Sequence, residues 1–316
     1  MGTVPVKALA ACVVALLAGG HAAAVTPGAV SSTAMAVCDF RAVGALHPDP
    51  KLRNRDRLAA KLCPTSMTLP RDYALARLAL ERDPEGLSGY FFVNARTLHI
   101  DAQLAKAAAD GIRQIVVLGA GYDSRAYRFH QAYPKLVFFE VDLPEMIASK
   151  KQAVARLLKT LPRHVRYAPI DFNTQALDGV LAGAGYDRSA RSLFIIEGVV
   201  MYVNEAGNRA TFEFIGKNAA SGSRVVYDYL LRRVVDGDYA GLYGAAKLTR
   251  GVAAIGEPFV SGWTPQEAAA FASQHGLSVV DDLDHVELTR RYLTNSRGEP
   301  DGRMPDWQRI IDATVR

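Results

Sequence analysis

The chain has 316 residues, of which 49% are hydrophobic and 22% are charged. This balance is typical of a folded globular protein and excludes a disordered or collagen-like chain. The formal net charge is +5, but the basic residues form no run longer than a pair such as Arg232-Arg233, which gives no support for a nucleic-acid partner. Three cysteines (Cys12, Cys38 and Cys63) are too few and too scattered to predict a zinc site or a disulfide framework.

The N-terminus is an exception to this globular pattern. Residues 8–20 form an apolar run of small residues behind Lys7, and an Ala-rich segment that resembles a cleavage site follows at residues 22–24. This order is typical of a secretory signal, and the run is shorter than the ~20 apolar residues of a bilayer-spanning helix. The alternatives are a disordered extension, or a misplaced start codon with the protein beginning between Thr26 and Met35. We therefore treat residues 1–30 as a signal-like or disordered extension.

Residues 31–110 are predicted to form helices separated by turns. The Pro-containing turn at residues 47–50 breaks the first segment, and residues 94–109 form the last helix, which Asp110-Gly111 ends. A helix between them carries the apolar residues Leu75, Leu78 and Ala79.

From residue 111 onward, short apolar runs alternate with helical segments. The runs are rich in β-branched residues and predict strands at residues 114–118, 136–141, 165–170, 193–196 and 224–229. The segments between them predict helices at residues 144–161, 174–181 and 205–220. This alternation is typical of a parallel sheet covered by helices on both faces, and right-handed crossovers favour a doubly wound order.

The last part of the chain completes this sheet. Residues 232–262 carry many glycines without a clear period and predict a lid or an irregular insertion. A capping box from Thr264 to Glu267 opens a further helix, and residues 277–288 predict an antiparallel edge hairpin with the C-terminal segment. The sequence thus predicts an α/β protein with a doubly wound, mostly parallel, seven-stranded Rossmann-like sheet. We expect one domain over residues 31–316, in which a helical cap (residues 31–110) precedes the core (residues 111–316).

Four consecutive strand ends carry glycine or acidic residues. Gly119 and Gly121 follow the first strand in a turn that lets the backbone approach a ligand, although Ser124 stands where the third glycine of a dinucleotide fingerprint would fall. Carboxylates end the next three strands, at Glu140 and Asp142, at Asp171, and at Glu197. Because ligands of doubly wound sheets bind beyond the carboxyl ends of the strands, the four strand ends predict one ligand site. Its residues are Gly119, Gly121, Asp142, Asp171 and Glu197. A carboxylate after the second strand suits the ribose of either NAD or S-adenosylmethionine.

Five segments make the chain recognisable: GAGYDSRAYRF, FFEVDLPEMIASKK, IDF, IIEGVVMYV and SRVVYDYL. In this order they resemble the leucine carboxyl methyltransferase-like family of S-adenosylmethionine-dependent methyltransferases, over about residues 31–293. The resemblance implies that S-adenosylmethionine is the cofactor and assigns a set of residues to it. These are Gly119 and Gly121 under its methionine part, Asp142 on the ribose hydroxyls, Asp171 and Phe172 beside the adenine, Glu197 at the amino group and Arg96 at the carboxylate. Tyr202 matches an aromatic residue on the substrate side.

One position departs from the family pattern. Asn173 stands where members that methylate proteins commonly carry an arginine that helps to hold the substrate carboxylate. A neutral asparagine cannot supply the charged, bidentate fork that favours a carboxylate. A protein C-terminal carboxylate is therefore not the expected acceptor.

We expect an S-adenosylmethionine-dependent methyltransferase that O-methylates a hydroxyl or carboxylate of a small molecule, with no nucleic-acid partner and no stable membrane span. Two alternatives stay open. An NAD(P)-dependent Rossmann oxidoreductase shares the glycines and Asp142 but does not account for Arg96 and Glu197. An exported, non-catalytic binding protein is suggested by residues 1–24, but we favour a cytoplasmic location because the cofactor is made and kept in the cytosol. Candidates for the acceptor pocket, or equally for the core, are Tyr122, Tyr202 and Tyr229.

Overall fold

The computed structural model describes residues 31–63, 69–70, 72–172 and 174–316. The signal-like segment (residues 1–30) and Asn173 lie outside the described residues. The described part has an α/β architecture with one seven-stranded sheet. This confirms the predicted fold class.

In the described part of the chain before the sheet, the helices are α1 (Ser32–Gly44), α2 (Ala59–Leu62), α3 (Tyr73–Glu81) and α4 (Pro84–Ala109). The predicted last helix of this group begins ten residues earlier than expected, because Asp83 accepts a hydrogen bond from Gly86 N–H as N-cap and Pro84 occupies the first turn. Most of α4 is buried, so its apolar stripe is too wide to show a clear helical period.

The apolar positions of α3 do not all face the core. Leu75 and Leu78 are 58% and 54% exposed, whereas Ala76 and Leu80 are buried. Residues four apart lie on the same face of a helix, so Ala76 and Leu80 form the buried face instead.

A disulfide joins Cys38 in α1 to Cys63 just after α2, with a Cα–Cα distance of 6.3 Å. The number and spacing of the cysteines did not predict this single bond. The two residues are 25 positions apart in sequence. They meet because α1 and α2 pack together around a small apolar cluster that includes Ala42 and Ala59.

The sheet has the order β3-β2-β1-β4-β5-β7-β6. Strands β1 to β5 are mutually parallel. Strand β7 runs antiparallel to both β5 and β6, as expected for the predicted edge hairpin. The strands are β1 (Gln114–Leu118), β2 (Val137–Asp142), β3 (Val165–Pro169), β4 (Ser192–Ile196), β5 (Arg224–Leu230), β6 (Leu277–Leu283) and β7 (Gln308–Val315).

Helices cover both faces of this sheet. Along β1, Ile115 and Val117 enter one apolar core while Val116 and Leu118 enter the other, as the period of two in a strand requires. The helices after β1 are α5 (Arg125–Arg128), α6 (Pro144–Leu158), α7 (Leu177–Gly183), α8 (Glu205–Asn218), α9 (Arg232–Val235), α10 (Ala245–Ala254), α11 (Pro265–Gln274) and α12 (His285–Tyr292).

The predicted insertion at residues 232–262 contains α9 and α10 and returns to the sheet through hydrogen bonds. Val260 N–H donates to the Met201 carbonyl over 2.8 Å, and the Ser261 hydroxyl donates to the Val203 carbonyl over 2.6 Å. The capping box at Thr264 and Glu267 is present. The insertion is thus tied to the short 3₁₀ turn (Val200–Tyr202) that follows β4.

Candidate cofactor and acceptor site

A cavity of about 860 Å³ lies beyond the carboxyl ends of the parallel strands. It is at the switch point of the sheet, where β1 has β2 on one side and β4 on the other. Its volume is in the range of small-molecule sites. All eight residues predicted for the site line this cavity: Arg96, Gly119, Gly121, Asp142, Asp171, Phe172, Glu197 and Tyr202.

The turn after β1 uses glycine for two physical reasons. Gly119 has a φ of 66°, and a Cβ there would lie 2.1 Å from Cγ2 of Val199. Gly121 has a φ of 42°, and its N–H donates to Oδ2 of Asp142 over 2.6 Å. Any other residue at these positions would be strained, so the backbone of the turn itself forms part of the cavity wall.

Asp142 is buried at the end of β2 and faces the cavity. Burial raises the pKa of its carboxyl group, while hydrogen bonds from the N–H groups of Gly121 and Leu143 act in the opposite direction. Two uncharged backbone donors therefore fix this carboxylate in place. Since each oxygen can accept more than one hydrogen bond, the group can also take hydroxyl donors from a ligand.

Asp171 and Phe172 lie at the end of β3 and are partly buried. The Asp171 carboxylate accepts a hydrogen bond from the Thr174 hydroxyl over 3.0 Å. Both residues line the cavity after β3, the strand next to β2, which ends in Asp142.

A buried ionic network joins α4 to the ends of β4 and β5. Arg96 donates through Nε to Glu197 over 3.0 Å and through Nη1 to Asp228 over 2.6 Å. Arg125 donates through Nη1 to the other oxygen of Glu197 over 2.6 Å. Burial raises the pKa of Glu197, but the guanidinium groups of Arg125 and Arg96 outweigh this effect and lower it below its usual range. Glu197 thus stays ionised at the cavity wall.

Tyr202 lies across the cavity, beside the insertion. Burial raises the pKa of its hydroxyl, with a further increase from the charge of Glu257 and an opposing hydrogen bond with Thr33. Its ring packs against Phe259 with ring centroids 5.4 Å apart. The hydroxyl therefore stays protonated at neutral pH and can act as a hydrogen-bond donor.

The other tyrosine candidates have different positions. The Tyr229 ring lies in the core, and its hydroxyl donates to Asp282 over 3.0 Å. Tyr122 touches the cavity, but its ring is buried and its hydroxyl is hydrogen-bonded to Ser149 over 2.8 Å. Of the three, Tyr202 is the one with its hydroxyl among the polar groups of the insertion.

Three residues of the site were not predicted. Arg125 and Asp228 lie inside the motifs GAGYDSRAYRF and SRVVYDYL, but no pattern indicates that they meet at Glu197. Glu257 lies in the Gly-rich insertion, where the sequence shows no period. Arg125 and Asp228 could have been suspected because they lie beside strand ends. Nothing in a single sequence indicates that Glu257 belongs to the site.

The comparisons with known proteins agree with this geometry. The model of the leucine carboxyl methyltransferase family matches residues 34–216. A protein of Streptomyces coelicolor named "Putative S-adenosyl-L-methionine-dependent methyltransferase" is 34% identical over 223 residues, which cover 69% of this chain and 75% of that protein. A protein of Frankia alni with the same kind of name is 33% identical over 218 residues, covering 67% and 73%.

Solved structures show the same fold. A DUF574 family protein from Streptomyces avermitilis superimposes with a TM-score of 0.56 at 15% identity, covering 78% of this chain and 93% of that one. Fold, cavity and relatives together define a Rossmann-like S-adenosylmethionine-dependent methyltransferase. More narrowly, the chain belongs to the leucine carboxyl methyltransferase family.

The family membership does not favour the two alternative functions, a nicotinamide-dependent oxidoreductase and a non-catalytic binding protein. Among the helices that the structure describes, none is both long enough and apolar enough to pass through a bilayer.

Proposed function

We propose that this methyltransferase O-methylates a hydroxyl or carboxylate of a small molecule. When bound, S-adenosylmethionine supplies a methyl group on a sulfonium, so that the acceptor oxygen gains the methyl, the sulfur keeps the bonding electron pair, and a hydroxyl acceptor also loses its proton to a base. The main support is the size of the cavity together with its wall of glycine backbone and fixed carboxylate. This wall fits a ligand that presents hydroxyl donors.

The residues of the wall have proposed roles toward the cofactor. Asp142 accepts hydrogen bonds from the ribose hydroxyls, and Gly119 and Gly121 leave room for the methionine part. Asp171 and Phe172 border the adenine. Glu197 presents its negative charge to the amino group of the cofactor, and Arg96 presents its positive charge to the carboxylate of the cofactor. The two side chains also form an ion pair with each other, with 3.0 Å between the charged atoms.

Tyr202 is the proposed contact on the acceptor side. Methyl transfer to oxygen requires alignment of acceptor, methyl and sulfur, and an enclosed site supplies it by restricting how the acceptor can lie. The insertion and α1 both line the cavity, and the Tyr202 ring packs against Phe259 of the insertion. A protonated phenol can donate a hydrogen bond to the acceptor oxygen and orient it.

Cofactor binding tests this proposal without depending on the acceptor. Calorimetry with S-adenosylhomocysteine should show binding to the wild type and at least a tenfold weaker affinity for Asp142→Asn, because a hydrogen bond to a charged group contributes about 1.5–3 kcal/mol. Asp178→Asn is the matched control, since this aspartate is exposed on α7 and pairs with Arg188. Tighter binding of NADH than of S-adenosylhomocysteine, or an unchanged affinity in Asp142→Asn, would contradict the proposal.

Domain organisation and location are proposed on the same grounds. We place residues 31–316 in one catalytic domain whose first 80 residues or so form its cap, since α1 and α4 contribute to the cavity wall. We also propose that the protein acts in the cytoplasm, where its cofactor is made. The Cys38–Cys63 disulfide is the observation that opposes this location, because such bonds persist mainly in oxidising compartments. N-terminal sequencing of the native protein after cell fractionation tests this location, and a mature start near Val25 in an exported fraction would contradict it.

A further inference from the structure

The end of the cavity away from the strand ends is built from apolar side chains. Helices α1 and α4, α10 and the segment after it supply most of this wall, and the C-terminal part adds Trp307. Representative side chains are Phe40, Phe92, Leu248, Ile255, Phe259 and Trp307. Such a wall favours an acceptor with a hydrophobic body because it offers few partners for polar substituents.

The basic side chains in the described part of the cavity wall are already paired with carboxylates. Among the described residues that line the cavity, the basic side chains are Arg41 and Arg96. Arg41 donates through Nε to Asp56 over 3.0 Å and through Nη2 to the carbonyl of Tyr122 over 2.7 Å. Arg96 is held by Glu197 and Asp228. Arg96 also faces the cofactor carboxylate in the proposed function, and Arg41 is held by Asp56. Neither guanidinium is therefore left to neutralise an anionic acceptor.

An acidic side chain stands at the acceptor end instead. Glu257 accepts hydrogen bonds at Oε1 from the N–H of Ser32 over 2.8 Å and at Oε2 from the hydroxyl of Ser31 over 3.0 Å. The N–H and the hydroxyl of Thr33 also donate to Oε2. These four donors are all uncharged. They hold the carboxylate in place without cancelling its charge.

The charge of Glu257 acts on the acceptor side of the cavity. Glu257 and Thr33 both line the cavity. The negative charge of Glu257 contributes to the raised pKa of the Tyr202 hydroxyl. A second anion placed beside Tyr202 would be repelled by this carboxylate, and in a partly desolvated site such repulsion is stronger than in water. A neutral hydroxyl faces no such repulsion and can hydrogen-bond to Tyr202, to Thr33 or to the carboxylate itself.

We propose that the acceptor is an uncharged, largely apolar alcohol or phenol, and that Glu257 is the specificity-determining residue that excludes carboxylates. This inference rests on the proposed function and narrows it from hydroxyl or carboxylate to hydroxyl. An ammonium-bearing acceptor is disfavoured as well, because the sulfonium of the cofactor carries a positive charge toward the same place.

Three matched probes test the acceptor class: 4-butylphenol, 4-butylbenzoate and 4-butylbenzylamine, which is protonated at pH 7.5. Their binding is measured by calorimetry on the protein saturated with S-adenosylhomocysteine, and methyl transfer is then followed with labelled S-adenosylmethionine. In the S-adenosylhomocysteine complex, which has no sulfonium, the phenol should bind at least tenfold more tightly than the benzoate. With labelled S-adenosylmethionine, the phenol should accept the methyl group and the amine should not. Equal or tighter binding of the benzoate, preferred methyl transfer to the amine, or no binding of the phenol would overturn the proposal.

Glu257→Gln tests the residue, because glutamine keeps the shape and removes the charge. The affinity for 4-butylbenzoate should rise at least tenfold, while the affinity for 4-butylphenol changes less than threefold. Glu213→Gln is the matched control, since Glu213 is exposed on α8 beside Lys217. An unchanged ratio of the two affinities in folded Glu257→Gln would show that Glu257 does not select the acceptor.

The two proposals fail in different ways. If S-adenosylhomocysteine does not bind the wild type, the proposed function is wrong and the acceptor inference falls with it. If S-adenosylhomocysteine binds but the benzoate is preferred, the acceptor inference alone is wrong. Should Glu257→Gln not fold, the comparison of the three probes on the wild type still decides the acceptor class.

Discussion

Single buried charges determine much of the behaviour of this site. Glu197 is held between Arg96 and Arg125, and Arg125 also binds Asp123 and Asp101. A buried ion pair gives little net stability compared with an apolar pair, but removal of one partner leaves an uncompensated charge and is costly. The network therefore fixes the orientation of its side chains, and the loss of one member is expected to destabilise the protein.

Replacement of Glu197 by glutamine should destabilise the protein strongly. It removes a carboxylate shared by two buried guanidinium groups, of which Arg96 keeps Asp228 and Arg125 keeps its other two partners. We expect the loss of these charged hydrogen bonds to cost about 1.5–3 kcal/mol of unfolding free energy. Urea unfolding measures it. Glu205→Gln is the matched control, because Glu205 is an exposed partner of Arg209 on α8, and it should change stability by less than about 0.5 kcal/mol. A loss below about 1 kcal/mol in Glu197→Gln would contradict the role of the network.

The pair of Glu140 and Lys150 should make stability depend on pH. Their charged atoms are 2.9 Å apart and both side chains are buried. Burial raises the pKa of Glu140 to about 7 from the model-compound value of 4.5, although Lys150 opposes this. The folded state then binds a proton that the unfolded state has released, so stability falls as pH rises from about 4.5 to about 7.

The double variant Glu140→Gln/Lys150→Met measures this effect. Between pH 5 and 7.5, the wild type should lose on the order of 1–3 kcal/mol relative to the double variant, as followed by urea unfolding at each pH. The double substitution leaves no single buried charge behind. Parallel stability curves for the two proteins would show that Glu140 does not titrate in this range.

At the scale of residues, position in the sheet made the site predictable. Gly119, Asp142, Asp171 and Glu197 follow parallel strands whose ends meet at one edge, so their convergence on one cavity could be expected from the sequence. The position of Glu257 at the cavity could not be expected from the sequence, because it belongs to a segment without a hydrophobic period. The fold of the whole insertion brings it to the cavity. Contacts between distant segments depend on the whole fold, which a local pattern does not encode.

At the scale of elements, the turn between β1 and α5 sets how close the backbone comes to the cavity. Gly119 and Val199 pack so closely that the turn after β1 and the turn after β4 leave no room for a Cβ. This contact fixes the spacing of two neighbouring strand ends at the switch point. The turn is therefore rigid where the cofactor is proposed to bind.

Gly119→Ala should be strongly destabilising. A φ of 66° strains alanine, and its methyl group would overlap Val199, so we expect a loss of roughly 2–4 kcal/mol in unfolding free energy. Gly179→Ala is the matched control, because Gly179 lies in α7 with open space around its Cα. This control should be neutral or slightly stabilising. Equal stabilities of the two variants would show that the turn relaxes.

The disulfide between α1 and the end of α2 should stabilise the cap. A cross-link that closes a loop of this length typically contributes about 2–4 kcal/mol. Thermal unfolding should therefore shift to lower temperature in the presence of reductant, and in Cys38→Ser without it. Cys12→Ser is the control and should keep the sensitivity to reductant. A melting temperature that reductant leaves unchanged would contradict the contribution of this bond.

Elements with a simple hydrophobic period were predictable and the others were not. The parallel strands have continuous apolar runs, and each lies within two residues of its expected bounds. The helix α3 was predicted from apolar residues that include Leu75 and Leu78, but its buried face is formed by Ala76 and Leu80. The disulfide was missed because cysteine spacing does not report how α1 and α2 pack.

At the scale of the molecule, the cavity connects segments that are far apart in the chain. Its wall includes α1, α4, four strand ends, the insertion and Trp307. A ligand that binds the native state stabilises all of these together by mass action. Occupancy of the site should therefore be visible in global unfolding as well as in local contacts.

Saturation with S-adenosylhomocysteine should raise the melting temperature. At a ligand concentration about 100 times Kd the stabilisation is about 2.7 kcal/mol, which corresponds to a shift of roughly 4–6 °C for a protein of this size. Differential scanning fluorimetry measures it. Asp142→Asn should show a much smaller shift at the same concentration. Equal shifts in the two proteins would show that Asp142 does not hold the cofactor.

The place of β7 in the sheet has a consequence for the order in which the protein can fold during synthesis. This strand is the last in chain order, yet it lies between β5 and β6. Until β7 has left the ribosome, β5 has an open edge and β6 has no neighbour in the sheet. Open strand edges template wrong pairing and aggregation, so the nascent chain is most vulnerable between the synthesis of β5 and that of β7. Its parallel half can form early, but closure of the sheet waits for the last strand.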